Sequence, residues 1–409
     1  MKILHVNVRL QEGGAARIAL DLHRQLLDAG HASRFAYGWG EKGGVSSAES
    51  EIPYSFQVGQ RLQVSANLGI HSLFGFDYVA PIGQGRVRFV EAIGWADVVH
   101  LHVVHSYFLP FGWLCRELVR ARKPIVWTAH DYWMLTGRCA FIEDCEGWRR
   151  SCGCCLTGKN YPPARFDFSK AGFKVKRQLI ASLGRRLHVV APSEFVAQSV
   201  KDGLPDIDVE VIPNWLDREF ERAISATPCS DEPIYWGTGK LMLVIIANDL
   251  SDPTKVDRKL VNSLIEVPHV EVHTIGNHSP FFGPRIVNHG HVLNRKEFVH
   301  LVSLADVTIF TSRKDTFGLV MIEALACGTV VLALESLASK EVLGKLNLPV
   351  FKTSEEILSV IKTRRVPEAF KNIRMRAHQM KIRERFSSSV GTQRYIKTYD
   401  RAVASRVAD

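Results

Sequence analysis

The feature that most constrains how this chain folds is a recurring unit in which a short apolar run, a glycine-bearing turn and a helical repeat follow one another. It is first met at Ile3 to Val8, where Gly13 and Gly14 end the run and Ile18, Leu22, Leu26 and Ala29 then recur at helical spacing before Gly30. That is the first βα unit of a parallel sheet. Further strands are expected at Val98–Val103, Ile125–Ala129 and Leu187–Val190, with a helix from Phe111 to Arg120. Strands alternating with helices specify an open α/β layer. The stretch from Gly40 to Arg88, with Pro53, Pro81 and several glycines, reads as loops and short helices decorating that layer.

A second series begins near Leu241, with strands expected at Leu243–Ala247, Val270–Ile275, Val307–Thr311 and Val330–Ala333. The polar region between Pro205 and Gly239 separates the two series, and 409 residues suit two domains of about 200 residues each. The expected division is a first domain over 1–213, carrying a Cys-rich excursion at 139–155, and a second over 214–385. The closing segment 386–409 carries Tyr395, Ile396, Tyr399 and Ala402 on one face, a candidate return to the first domain. The expected fold is α/β, two Rossmann-like domains facing across a cleft into which the carboxyl ends of parallel strands point.

Hydrophobic residues make up 46% and charged residues 23% of the chain, ordinary values for a folded protein. The apolar run after Met1-Lys2 is too short for a signal peptide, and no stretch approaches about 18 consecutive apolar residues. The expectation is a cytoplasmic protein, free or peripheral at the inner face of the cytoplasmic membrane. Lys plus Arg exceed Asp plus Glu by 52 minus 42, a formal charge of +10, which suits a nucleotide-sugar phosphate, an anionic membrane or a nucleic acid. No finger, RNP motif or GXXG loop accompanies it, which sets nucleic acid aside. Arg116, Arg120, Arg122 and Lys123, with Lys170, Lys174, Lys176, Arg177, Arg185 and Arg186, form either a solvated basic face or a membrane-docking patch.

The most informative segment runs from Thr311 to Gly328. A strand ends at Thr311, a polar loop bearing Asp315, Phe317 and Gly318 follows, and a helix beginning at Leu319 carries Glu323. Such a loop lies at the carboxyl end of a parallel strand, where open α/β sheets bind ligands. Glu323 stands among Leu319, Val320, Ile322, Ala324, Leu325 and Ala326. It either accepts hydrogen bonds from vicinal sugar hydroxyls or is one polar position on the solvent face of an amphipathic helix.

This segment resembles the donor domain of the retaining glycosyltransferases of family 4, which have the two-domain GT-B fold. There an acidic residue, a Phe-Gly and a Glu with seven residues between the two carboxylates mark the donor site; here they are Asp315, Phe317, Gly318 and Glu323, with Ala326, Cys327 and Gly328 also matching. The chain further resembles the colanic-acid and related exopolysaccharide transferases, from Asn7-Val8-Arg9 through the Cys-rich segment to the last helix. The resemblance implies that Glu323 holds the nucleotide ribose and Asp315 the donor-sugar hydroxyls, with a UDP- or GDP-linked sugar as donor. It implies a lipid-linked oligosaccharide acceptor at an anionic inner-membrane surface, retention by front-face attack assisted by the leaving phosphate, and no catalytic metal. A catalytically impaired sugar- or nucleotide-binding protein of the same fold is the alternative.

Two departures from the family bear on the donor. The first carboxylate is more often Glu, and the Gly-Arg that commonly follows the first strand of the donor domain is replaced by Ala247-Asn248-Asp249. Lys255 matches the family's phosphate-binding lysine, with Arg313 and Lys314 as candidates to replace the arginine. By the same resemblance Gly13 and Gly14 lie beside the donor diphosphate, amides at a helix N-terminus suiting an anion. His130, before Asp131 at a strand's carboxyl end, is the first histidine candidate and His105 the second.

Five of the eight cysteines fall between Cys139 and Cys155. Cys139, Cys145, Cys152 and Cys155 offer four thiolates suited to a structural zinc, with Cys154 spare. Reduced structural cysteines and disulfides are the alternatives.

Overall fold

The computed structural model describes residues 1–39, 52–142, 145–153, 155, 161–226, 234–373 and 376–406. Its first strand, β1 (Lys2–Arg9), is buried from Ile3 to Val8. Gly13, at φ 88°, turns the chain into α1 (Gly14–Asp28); a positive φ of this kind favours glycine. There follow β2 (Ala32–Trp39), β3 (Ser55–Gln57), α2 (Arg61–Phe74), α3 (Gly83–Trp95), β4 (Val98–Leu101), α4 (Phe111–Ala121) and β5 (Ile125–Thr128). After the Cys-rich excursion come α5 (Ser169–Leu183), β6 (Leu187–Ala191), α6 (Glu194–Gly203) and β7 (Val209–Val211). All seven strands are parallel, in the order β3-β2-β1-β4-β5-β6-β7.

The second series comprises α7 (Arg218–Ser225), β8 (Leu241–Asp249), α8 (Arg258–Ile265), β9 (Val270–Asn277), β10 (Ile286–Asn288), α9 (Arg295–Leu304), β11 (Val307–Phe310), α10 (Leu319–Ala326) and β12 (Val330–Ala333). α11 (Leu337–Gly344), α12 (Ser354–Thr363), α13 (Arg376–Arg385) and α14 (Ser388–Arg406) complete the chain. Its sheet is parallel, in the order β10-β9-β8-β11-β12. In each sheet the strand order reverses once, between β1 and β4 and between β8 and β11. Outside the carboxyl ends of strands at such a reversal, neighbouring connections diverge and leave a crevice.

The chain divides into two compact units, Met1–Ile212 together with the chain from Gly391 onward, and Pro213–Val390. The helix α14 seals the first unit. Tyr395 and Tyr399 are fully buried, their hydroxyls 2.8 Å from Thr128 Oγ1 and 2.7 Å from His100 Nδ1. Thr398 Oγ1 donates to Glu210 Oε2 at 2.7 Å, and Arg394 donates to the Val211 carbonyl.

Four strands were not expected from sequence. β2 interrupts its apolar residues with Ser33, Arg34 and Gly38, and β3, β7 and β10 are three residues each, too short for a period to register. The irregular stretch before Arg88 holds all of α2 and the start of α3, α2 opening on a box in which Gln60 and Gln63 each hold the other's backbone N–H; residues 40–51 of that stretch lie outside the described residues. Among the described residues no helix is long and apolar enough to cross a membrane.

Candidate active-site residues in the two units

In the second unit the reversal between β8 and β11 brings together residues from far apart in sequence. Lys255 lies beyond β8 and Asp315 beyond β11, with Lys255 Nζ 2.5 Å from Asp315 Oδ1. Thr311 ties the two connections together: its Oγ1 donates to the Lys255 carbonyl at 3.0 Å and accepts the Asp257 N–H at 2.9 Å. The Arg313 N–H donates to the Thr254 carbonyl at 2.9 Å. Gly318, at φ 84°, starts α10, and a Cβ there would stand 2.5 Å from Met321 Cε. Only glycine fits this turn without displacement. Phe317 is buried with its ring edge-on to Phe386, and Leu319 is half-buried at the helix start.

Glu323 is 3% exposed, which removes the solvent-face reading of that position. Its Oε1 accepts from Arg295 Nη2, and the same nitrogen reaches Asp217 Oδ2 at 2.8 Å. Arg295 is itself buried, its guanidinium 5.0 Å from the Phe220 ring centroid and 4.8 Å from that of Phe298. Burial opposes its charge, but the Glu323 and Asp217 carboxylates more than compensate and hold its pKa above the usual value. No sequence signal singled out Arg295, because its partners lie on distant elements and nothing local marks it.

Lys255 is committed to Asp315, and Lys314 to Asp252 Oδ2 at 2.7 Å, while Arg313 is exposed. Among the described residues of this unit the buried cation is Arg295, which the sequence reading did not nominate.

In the first unit the reversal between β1 and β4 gathers histidines. His5 Nδ1 lies 3.1 Å from His102 Nε2, and His102 Nδ1 lies 3.0 Å from His130 Nε2. Exposure rises along this chain from 0% through 2% to 9%, so its outer end is His130, at the carboxyl end of β5. His100 joins Tyr399 and Thr128 through its two nitrogens. Burial depresses every one of these imidazoles: His5, His100 and His102 fall well below 6.5, and His130 to about 4 with Asp131 opposing the shift. His130 is therefore neutral at physiological pH.

His105 Nε2 is 2.8 Å from Asp131 Oδ2. Burial pushes the Asp131 carboxyl up, but His105, the Trp133 N–H and His130 bring it below its ordinary value. Gly13 and Gly14 sit at the amino end of the fifteen-residue α1, where backbone N–H groups lack helical partners.

Lys176, read from sequence as part of a basic surface, is buried instead. Its Nζ donates to the Trp133 carbonyl at 2.7 Å and lies 3.4 Å from the Trp133 ring centroid. Burial lowers its pKa to about 7, against the pull of Asp131, Cys152 and Cys139.

Cys152 accepts the Gly137 N–H at 3.2 Å, and Cys155 Sγ is 3.3 Å from Ser169 Oγ. Burial raises the Cys152 thiol to about 11, Gly137 opposing and the nearby Cys155, Cys139 and Cys145 adding to the rise. None of the described cysteines is in a disulfide, and Cys154 lies outside the described residues. Cys139, Cys145 and Cys155 are electrostatic neighbours of Cys152. Among the described residues the set whose ligand atoms all lie within 4.8 Å of one another is His5, His100 and His102. Both nitrogens of His100 and of His102 already have hydrogen-bond partners, so this set is a core hydrogen-bond network.

Two parallel α/β units, each with chemically active side chains at its strand-order reversal, define the GT-B architecture of glycosyltransferases. The chain belongs to glycosyltransferase family 4: residues 12–220 match the family model described as Glycosyltransferase Family 4, and residues 285–355, which include Arg295, Asp315 and Glu323, match Glycosyl transferases group 1. It is a glycosyltransferase. Over 408 residues, 98% of this chain and 99% of the relative, it is 32% identical to the putative colanic acid biosynthesis glycosyl transferase WcaC of Escherichia coli (strain K12). Among solved structures it resembles HepE from Anabaena, in complex with UDP-glucose, at a TM-score of 0.64 and 16% identity, over 98% of this chain and 99% of that one. Sucrose-phosphate synthase from Thermosynechococcus elongatus matches at a TM-score of 0.64 and 15% identity, over 99% and 100%. At these identities the two structures speak for the fold.

Proposed function

We propose that the second unit binds a nucleotide-sugar donor and that the enzyme transfers the sugar, with retention, to a lipid-linked oligosaccharide or related glycan in exopolysaccharide assembly. The observation that carries this is the Lys255–Asp315 pair at the β8/β11 reversal, one α10 turn-start away from the buried Glu323. Lys255 offers its ammonium to the departing diphosphate, whose charge grows as the glycosidic bond breaks. Asp315, an acceptor at both oxygens, suits donor-sugar hydroxyls, and Glu323 suits the vicinal hydroxyls of a ribose. Gly13 and Gly14 supply anion-binding amides, and His130 supplies a neutral ring to a sugar hydroxyl or phosphate. Front-face attack gives the attacking hydroxyl's proton to the leaving phosphate, which needs no side chain as covalent nucleophile. The UDP-glucose bound by HepE and the colanic-acid assignment of WcaC support this donor and pathway class.

An acceptor carried by a lipid requires contact with a membrane, and the first unit has a surface suited to it. Phe74, Phe76, Phe166 and Phe168 are all exposed, with Phe74 5.9 to 6.2 Å from the other three rings. The 165–166 backbone is fastened to the end of α2 by the Arg165 and Phe166 N–H groups, which donate to the Ser72 and Leu73 carbonyls at 2.8 and 2.9 Å. Exposed Arg165, Lys170 and Lys174 accompany the rings, a combination that suits an anionic bilayer interface. This surface supports the proposal that the enzyme is cytoplasmic and docks peripherally at the inner face of the membrane.

Screening nucleotide release from UDP-, GDP- and dTDP-sugars without acceptor tests the donor reading; release from none of them would overturn it. Flotation with anionic vesicles tests docking, and binding that salt does not weaken, or no binding, would reject that part.

A further inference from the structure

The ends of β4 and β5 carry a second hydrogen-bonded chain that the donor chemistry does not use. Asp131 Oδ2 lies 2.8 Å from His105 Nε2, His105 Nδ1 lies 2.6 Å from Ser106 Oγ, and Ser106 Oγ lies 2.6 Å from Tyr161 Oη. The inner end fixes its direction. Asp131 Oδ1 already accepts the Trp133 N–H at 2.8 Å, and His130 and Lys176 both stand close enough to favour its charged form.

A carboxylate has no proton to give. With its imidazole neutral, His105 then carries its proton on Nε2 and presents a lone pair at Nδ1, to which Ser106 donates. Ser106 Oγ then accepts the Tyr161 hydroxyl proton. Tyr161 Oη is left with lone pairs alone to offer beyond the chain. His105 and Ser106 are 5% and 3% exposed whereas Tyr161 is 45% exposed, so the acceptor end is the end that a ligand can reach.

The backbone beneath this chain is strained and clamped. Ser106 and Tyr107, neither of them glycine, have φ of 72° and 76°. Four side chains hold the turn: Trp39 Nε1 donates to the Ser106 carbonyl at 3.1 Å, Asp77 Oδ2 accepts the Tyr107 N–H at 3.0 Å, and Asn67 Nδ2 and Gln63 Nε2 donate to the Tyr107 and Phe108 carbonyls at 2.9 and 3.0 Å. Consecutive strained residues persist only where their surroundings over-determine them, and such sites cluster where a side chain must be aimed. Trp133 and Tyr161 flank the His105 ring at 5.6 and 5.9 Å between centroids, aromatic faces suited to a sugar ring.

We propose that Tyr161 Oη is a recognition site for a hydroxyl of the acceptor glycan, with Ser106 and His105 as positioning residues that turn its lone pairs outward. The proposal rests on the glycosyltransfer reading, with the acceptor bound by the first unit. The attacking hydroxyl gives its proton to the leaving phosphate, so the hydroxyl held at Tyr161 is a neighbouring one; no bond forms or breaks there, and the site sets acceptor specificity.

The test uses the full chain, a donor that the wild type hydrolyses, and octyl β-glucoside and octyl β-galactoside as acceptor probes. Tyr161→Phe removes the outer oxygen and is expected to raise the KM for the glycoside by about two- to tenfold, the effect of one net hydrogen bond, read as the ratio of transfer to donor hydrolysis in the same preparation. His105→Leu should act in the same way. His105→Gln, which can still donate to Asp131 and accept from Ser106, should restore the wild-type KM, a rescue that a purely structural role of the ring would not produce. An unchanged KM in Tyr161→Phe overturns the proposal, as does a hydrolytically active wild type that transfers to neither glycoside. Absence of nucleotide release from every donor sinks the donor reading itself, and this site with it.

Discussion

Lys255 Nζ stands 2.5 Å from Asp315 Oδ1, joining the connection after β8 to the connection after β11. Both side chains are about a quarter exposed, 24% and 27%, and pairs of this kind contribute only about 0–1 kcal/mol to stability. A structural role and a role in donor turnover therefore predict different results. Lys255→Met should leave the urea midpoint nearly unchanged while slowing donor hydrolysis by about a hundredfold or more, as removal of a charge-stabilising donor does. Unfolding curves and nucleotide release on the same preparation check both halves.

The Arg295–Glu323 pair behaves oppositely because both partners are buried. Glu323→Ala leaves the buried guanidinium with Asp217 in place of two carboxylates, and breaking a buried pair costs about 3–5 kcal/mol. Glu323→Gln keeps an oxygen for Arg295 and should be the more stable variant. Under the ribose-binding reading both lose turnover strongly. A Glu323→Gln enzyme with wild-type stability and wild-type turnover would remove Glu323 from the donor site.

Acid should unfold the protein through its first unit. His5, His23, His100, His102 and His130 are all depressed below 6.5, His23 and His130 to about 4. Between the folded and unfolded values the unfolded chain binds more protons. Stability from these groups is thus fully present above about 6.5 and lost as pH falls toward the folded values. The urea midpoint measured from pH 7.5 to 4.5 should drop with a slope of more than one proton; a flat profile over that window would contradict the buried network.

Lys176 makes the complementary prediction on the alkaline side. With its pKa lowered from 10.5 to about 7, the unfolded chain again binds the extra proton between those values, so its contribution to stability rises with pH across that window. Subtracting the profile of Lys176→Met from that of the wild type isolates the term. The difference should grow in favour of the wild type from pH 7 to 10 and be least favourable to it near pH 7.

The parallel strands with strong apolar runs were legible from sequence: Val330–Ala333 matches β12, and β1, β4, β5, β6, β8, β9 and β11 lie within a few residues of the expected runs. Asp315, Phe317, Gly318 and Glu323 could be nominated from sequence because they fall within one continuous segment. What did not show was pairing across sequence. Arg295 meets Glu323 and Asp217 through three separate elements, and the Asp131–His105–Ser106–Tyr161 chain spans residues 105 to 161. Lys176 was misread for a related reason: a lysine's place on its helix says little when the surface it meets is built by a distant Trp133. Spacing along the chain reports periodicity, and these contacts have none.

The sealing of the first unit by α14 has a consequence for how the protein comes into being. The hydroxyls that satisfy Thr128 and His100 in its core come from Tyr395 and Tyr399, which the ribosome reaches only after it has made all of Pro213–Val390. During synthesis the second unit can complete itself while His100 and Thr128 of the first have each other but not yet the two tyrosine hydroxyls. A nascent chain arrested anywhere in the second unit thus holds a first unit whose core is not yet closed, although that unit is encoded first.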